Sequence, residues 1–152
     1  MGIFIEDLLN FGNLIDAELE IKLSAEELSK AYSGFEFDIR DGILKILKRK
    51  KVLFFNKTQE VRLSEVDRKV KKDRETSRQW VFFKVLSKDV IEDLQKLEVF
   101  SWDGEYLGLD VMPAVVLTET YERIPKQFRE KLLINRYKIG KDYLSVFFKF
   151  EK

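Results

Sequence analysis

Asp41-Gly42 lies between two runs of alternating apolar and polar residues, the tightest local constraint in the chain. On one side Phe35, Phe37 and Ile39 alternate with Glu36, Asp38 and Arg40. On the other runs Ile43 to Lys48. An Asp-Gly pair supplies the left-handed residues of a type I′ turn, whose twist matches that of the strands it joins. The segment is therefore expected to fold back as an antiparallel hairpin. Asp103-Gly104, between Val99 to Trp102 and Glu105 to Leu109, repeats the signal. A sheet that is mainly antiparallel follows.

Helices are marked by caps. Ser24-Ala25-Glu26-Glu27 has the form of a capping box, so a helix is expected to about Tyr32, stopping at Gly34. Before it, Leu19, Ile21 and Leu23 alternate with Glu18, Glu20 and Lys22, as on a half-buried strand. Ile3 to Phe11 places Phe4, Leu8 and Leu9 as a short amphipathic helix ending at Gly12. Val52 to Phe55 and Glu60 to Leu63 read as a further hairpin, turning at Asn56-Lys57-Thr58-Gln59. Glu65 to Arg78 has little apolar periodicity and reads as a solvated helix or a connection.

Beyond it, Gln79 to Leu86 is apolar on both faces, as in a central strand. Ser87 caps an expected helix with Val90, Ile91, Leu94 and Leu97 on one face. Val111 to Thr118, with Pro113, reads as a bulged or edge strand. Pro125 opens an expected helix whose Phe128, Leu132 and Leu133 face the core, with Gly140 ending the connection. Tyr143 to Phe150 is the last strand. The class is α+β: a mainly antiparallel sheet with helices packed on it. The C-terminal half follows β-α-β-β-α-β, the order of a ferredoxin-like split fold, and the N-terminal half β-α-β-β. The expected organisation is one compact domain over residues 1–152. Sub-units 1–64 and 79–152 joined by the polar segment 65–78 are the other division. In a ferredoxin-like order Tyr143 to Phe150 is an apolar edge strand, which invites pairing. Cover by the N-terminal strands within a monomer is favoured, with a homodimer as the second choice.

The chain has no Cys and no His. Disulfide scaffolds, zinc ribbons, thiol catalysis and the serine triad are excluded with them. No phosphate-binding glycine loop occurs and no cofactor is indicated. No apolar run approaches the roughly 20 residues needed to span a bilayer, and no leader pattern opens the chain. A cytoplasmic protein is the expectation, without membrane contact. Nineteen Lys and 16 Glu against 4 Asn and 4 Gln give a thermophile-like composition.

Carboxylates are the remaining route to catalysis. Glu20-Ile21-Lys22 has the Glu-x-Lys form of metal-dependent nucleases, but Asp7 and Asp16, the only upstream aspartates, lack the right context. An alternating strand also produces this triplet by chance. Asp103, Glu105 and Asp110 could hold magnesium. Asp103-Gly104 is better read as turn chemistry and Asp110 as a solvent-facing strand residue. A non-catalytic protein is expected, with a metal-dependent nuclease the most distant alternative.

Charge is segregated. Residues 1–44 hold 3 basic and 10 acidic side chains, residues 45–78 hold 13 and 5, and residues 79–152 hold 12 of each. The basic block contains Lys48, Arg49, Lys50 and Lys51 at an expected turn, and Arg68, Lys69, Lys71, Lys72, Arg74 and Arg78 in the polar segment. Clustered cations of this kind neutralise phosphates, so nucleic-acid binding through these ten residues is the leading expectation. The competing readings are pairing with the acidic block and a solvated surface. Phe54-Phe55, Phe82-Phe83 and Phe147-Phe148 should each place one ring on each face of a sheet. Outward rings could stack bases. The alternative function is a protein-binding adaptor or inhibitor that uses an apolar sheet edge or the acidic N-terminal block.

Overall fold

The structure, a computed structural model, describes residues 18–88 and 91–151. The expected helix Ile3 to Phe11, with Asp7 and Asp16, lies outside the described residues. In chain order the elements are β1 (Leu19–Ser24), α1 (Ala25–Ala31), β2 (Glu36–Arg40), β3 (Ile43–Val52), β4 (Phe55–Lys72) and β5 (Gln79–Lys88). Then come α2 (Ile91–Gln95), β6 (Phe100–Trp102), β7 (Tyr106–Asp110), α3 (Met112–Val115), α4 (Glu119–Arg123), α5 (Lys126–Arg129), β8 (Leu132–Ile139) and β9 (Tyr143–Phe150). Two antiparallel sheets result, one ordered β2-β3-β4-β5-β7-β6 and the other β1-β9-β8. The protein is α+β and strand-rich.

Local signals act as their chemistry requires. Asp41 and Gly42 both have positive φ, 46° and 84°, and join β2 to β3. The Ser24 hydroxyl accepts from the Glu27 N–H and the Glu27 carboxylate accepts from the Ser24 N–H, each at 3.1 Å. Leu19, Ile21 and Leu23 are buried on β1. They join Leu44, Ile46, Leu63, Phe83 and Leu109 of the large sheet in one core.

The ferredoxin-like order does not form. β8 and β9 never rejoin β5 and β7 but build the small sheet with β1. The connection before them explains this. No long sheet-covering helix is present over 111–131, only α3, α4 and α5, each of four or five residues. Leu132 and Leu133, expected on a helix, open β8 instead. Val111 to Thr118 is no strand. Pro113 sits in the first turn of α3, a position that needs no N–H donor, and the Asp110 carboxylate accepts from the Met112 N–H at 3.1 Å. The helix expected after Ser87 is also displaced, because β5 runs on to Lys88 and α2 spans only Ile91–Gln95. β9 is central rather than an edge, with Leu19 to Ser24 paired along one side and β8 along the other.

The hairpin of β3 and β4 turns at Leu53-Phe54, not at Asn56 to Gln59. Buried pairs decide this: Leu44 opposes Leu63 and Ile46 opposes Val61, all four fully buried. Slipping the register by one residue would turn these side chains outwards. Counting away from either pair brings the strands together at Val52 and Phe55, with two residues left to turn. The polar stretch 65–78 is the second half of β4 followed by a turn. In that turn the Asp73 carboxylate accepts from the Glu75 N–H at 3.0 Å and the Thr76 hydroxyl at 2.8 Å.

The two sheets are joined along β8 by side chains. β4 pairs with β5 on both sides of a bulge, with Glu65 opposite Phe83 and Val70 opposite Val81. Residues 66–69 thus face Phe82 alone, and backbone groups lose their ladder partners. The Tyr137 hydroxyl, from β8, enters this gap. It accepts from the Val66 N–H at 2.7 Å and donates to the Phe82 carbonyl at 2.6 Å. Further along β8, the Gln79 amide donates to the Leu132 carbonyl at 3.0 Å and accepts from the Ile134 N–H at 2.7 Å. The Glu65 carboxylate accepts from the Ile139 N–H at 3.1 Å. Burial pushes the Tyr137 hydroxyl well above the ordinary tyrosine value, so it stays a donor at any working pH. Tyr137→Phe is expected to cost about 1–3 kcal/mol, because two buried backbone groups lose their partner. Urea unfolding measures it, and a loss below about 0.5 kcal/mol would mean that water replaces the hydroxyl.

Candidate functional site: a projecting ribbon

β2 accompanies β3 only as far as Leu47, which pairs with Glu36. β5 accompanies β4 only from Val61, which pairs with Lys88. Between these limits residues 48–59 form a free-standing two-stranded ribbon, paired from Lys48 opposite Gln59 to Val52 opposite Phe55. Five paired positions make it about 17 Å long.

Its tip is apolar and uncovered. Leu53 is 80% exposed, Phe54 100% and Phe55 61%. These are large consecutive side chains that the described residues leave largely uncovered. Leu53 also has φ 53°, a left-handed conformation that two-residue turns normally give to Gly, Asn or Asp. A bulky residue there costs roughly 1–2 kcal/mol.

The stem is basic. Lys48, Arg49, Lys50 and Lys51 lie on β3, and Lys57 on β4 stands directly opposite Lys50. The root of the ribbon is anchored. Lys48 Nζ is 3.6 Å from the Asp93 carboxylate and 5.6 Å from the centroid of the Phe35 ring. Arg49 is 3.6 Å from Glu36. Pairing with the acidic N-terminal block thus occurs once here, in an exposed pair worth little.

The ten basic residues read from the sequence fall into three groups. Lys48, Arg49, Lys50 and Lys51 are on the ribbon. Arg68, Lys69 and Lys71 are at and beside the β4 bulge, where Arg68 is exposed with φ 53°. Lys72, Arg74 and Arg78 lie at the opposite end of β4. From Gln59, opposite Lys48, to Lys72 an extended strand covers about 40 Å. The groups do not form one patch. The last group is also engaged internally. Lys72 Nζ donates to the Leu132 carbonyl and to Glu151 at 3.0 and 3.1 Å, Arg74 lies 3.9 Å from Glu151, and Arg78 bonds Glu98 at 2.8 Å. A groove of about 550 Å³ opens between Lys72, Arg74, Arg129 and Tyr121, and the carboxylates Glu130 and Glu151 line it too, offsetting two of its three cations.

The phenylalanine pairs divide likewise. Phe83 and Phe148 are fully buried. Phe82 lies over Gly108, where a Cβ would stand 2.8 Å from the ring. Lys69 Nζ sits 5.7 Å from the Phe82 ring centroid and 4.4 Å from that of Tyr106. The Arg136 guanidinium lies 3.7 Å over the Phe147 ring and holds both oxygens of Glu18, at 3.2 and 2.8 Å. Outward rings on the sheets therefore carry cations of the chain itself. Phe54 lies in the turn of the ribbon and Phe55 opens β4 beside it, so both stand beyond the covered part of the sheet.

The carboxylates are apart. Glu20 lies 4.0 Å from Lys22. Asp103 accepts from the Glu105 and Tyr106 N–H groups at 2.8 and 2.7 Å, as a turn residue. Asp110, expected at the surface, is 4% exposed and accepts from the Gln79 and Met112 N–H groups. Burial pushes its carboxyl above the ordinary value. Among the described residues no group of three or more Asp and Glu side chains is placed to hold a metal ion, and no helix is long and apolar enough to cross a membrane. The chain matches no protein-family model, no curated protein and no solved structure.

Sequence reasoning named Phe54 and Phe55 only as a pair split across the faces of a sheet, and left Leu53 and Lys57 out of the site. The buried pairs that fix the β3–β4 register carried the signal. Two outcomes are expected here. Leu53→Gly relieves the left-handed strain, so protection of the ribbon amides from hydrogen exchange rises about fivefold while the unfolding midpoint does not fall. A fall in the midpoint would mean that Leu53 is packed. The second concerns Glu18, whose carboxyl is held below its ordinary value of 4.5 first by hydrogen bonding from Arg136. A lowered folded value contributes stability above the unfolded value, lost as pH falls through the folded one. Glu18→Gln should therefore lose stability at neutral pH and converge with the parent only once pH has fallen through the lowered folded value, followed by urea midpoints across pH.

Proposed function

We propose that the protein is a non-catalytic binding protein that engages nucleic acid through the β3–β4 ribbon. The observation that carries this reading is the combination on one projecting element of a basic stem and an uncovered apolar tip. A two-stranded ribbon is narrow enough to enter the major groove of B-form DNA, and cations along it reach phosphates on both sides. The reading narrows the basic segment 45–78 to its first part. Arg68 and Lys71 remain exposed and can add phosphate contacts, whereas Lys72, Arg74 and Arg78 are tied into the fold.

The exposed tip favours one other reading, an adaptor that buries Leu53, Phe54 and Phe55 in a protein partner. Salt response separates the two. Four to five phosphate contacts give a log–log slope of affinity on salt of about −4. An apolar protein interface responds weakly. Binding to duplex DNA, duplex RNA and single strands is measured across ionic strength, with Lys48/Arg49/Lys50/Lys51→Ala beside the parent. Steep salt dependence in the parent and loss of binding in the variant are expected. No binding to any of the three at low salt would overturn the proposal.

A further inference from the structure

We propose that Phe54 is a wedge that enters the base stack of duplex DNA and kinks it, with the ribbon cations clamping the phosphates on either side. The inference rests on the nucleic-acid reading above and adds what the tip does there.

Phosphate neutralisation accounts for the lysines and needs no apolar tip. A ribbon that only tracked the backbone would turn best through Asn-Gly or Asp-Gly, as β2 and β3 do at Asp41-Gly42. Here the chain instead has Leu in a left-handed position followed by a fully exposed Phe. Both choices weaken the free protein locally, so the tip residues are explained by what they meet outside it. Exposed apolar surface surrounded by cations selects an apolar target lying between anions. The stacked bases of a duplex, bounded by two phosphate strands, have that layout. Apolar side chains inserted between base steps unstack them and bend the duplex by about 20–90°. The root of the ribbon fits this action, since Lys48 there lies between the Asp93 carboxylate and the Phe35 ring and ties the stem to the body of the protein. A-form RNA is disfavoured as the target, because its major groove is deep and narrow.

The test uses the full chain and a duplex DNA of about 25 base pairs, end-labelled for energy transfer, with 2-aminopurine beside a central TA step, which kinks easily. Binding should shorten the end-to-end distance and raise 2-aminopurine fluorescence. Phe54→Ala should abolish both signals and weaken binding about tenfold, while the salt slope stays as in the parent. Phe54→Trp should keep the kink and show quenched tryptophan emission. Lys48/Arg49/Lys50/Lys51→Ala should lose binding altogether. A straight duplex bound with full salt dependence, or a kink that survives Phe54→Ala, would overturn the wedge and leave the nucleic-acid reading standing. Absence of binding at low salt would remove both. Binding to vesicles containing phosphatidylserine, with none to DNA, would also overturn both and assign the tip to a lipid surface.

Discussion

The fold depends on a seam of side-chain hydrogen bonds along the outer edge of β8. That edge belongs to the small sheet, and its free N–H and C=O groups face the large sheet at β4 and β5. A ladder would have closed the two sheets into a barrel. Instead a Gln amide, a Glu carboxylate and a Tyr hydroxyl stand in for a strand. Each is nearly irreplaceable in kind. The Gln79 amide alone offers a donor and an acceptor at the spacing of two backbone groups, and the Tyr137 hydroxyl both accepts and donates across the split between β4 and β5. Such groups contribute little over water when satisfied and cost much when left unpaired. The seam therefore specifies one arrangement of the sheets more than it adds stability.

The same seam explains why β4 can project. The strand has 18 residues, and only those from Val61 onwards lie against β5. The bulge at 66–69 fixes β4 to β8 through Val66 and Glu65, so the buried half of the strand is held on both flanks. The ribbon at its other end is a cantilever from that clamp. Lys48, beside Asp93 and the Phe35 ring, ties its root to the body. An isolated two-stranded hairpin is marginal in water. This one inherits its register from fully buried pairs inside the sheet.

What was legible in the sequence was local. Asp41-Gly42, the Ser24 capping box and the alternation of Leu19, Ile21 and Leu23 each carry their own geometry within a few residues, and each is realised. What was not legible was pairing between distant segments. The ferredoxin-like order made Tyr143 to Phe150 an edge, and although cover by the N-terminal strands was the favoured outcome, nothing near that segment singles out β1 as the strand that supplies it. Pro113 fits a strand bulge or a helix start equally well, and the Asp110 cap decides between them only once Gln79 has positioned that carboxylate. At the candidate site the cations were visible, but their grouping was not, because a strand of this length carries neighbours in sequence some 40 Å apart in space.

The misreading of Val52 to Phe55 is the informative one. Consecutive apolar residues on a strand are core by rule, and Asn56 to Gln59 is better turn material than Leu53-Phe54. The buried pairs Leu44–Leu63 and Ile46–Val61 override both preferences. Departure from local rules is expected where function competes with stability. Two departures meet within the few residues of this tip: a left-handed leucine and an uncovered phenylalanine. Elsewhere the chain resolves similar conflicts internally, with Lys69 on Phe82 and Tyr106 and Arg136 on Phe147. Rings and cations find each other on the sheets, and an external ligand bearing both apolar faces and anions would meet the exposed tip and the basic stem of the ribbon at once.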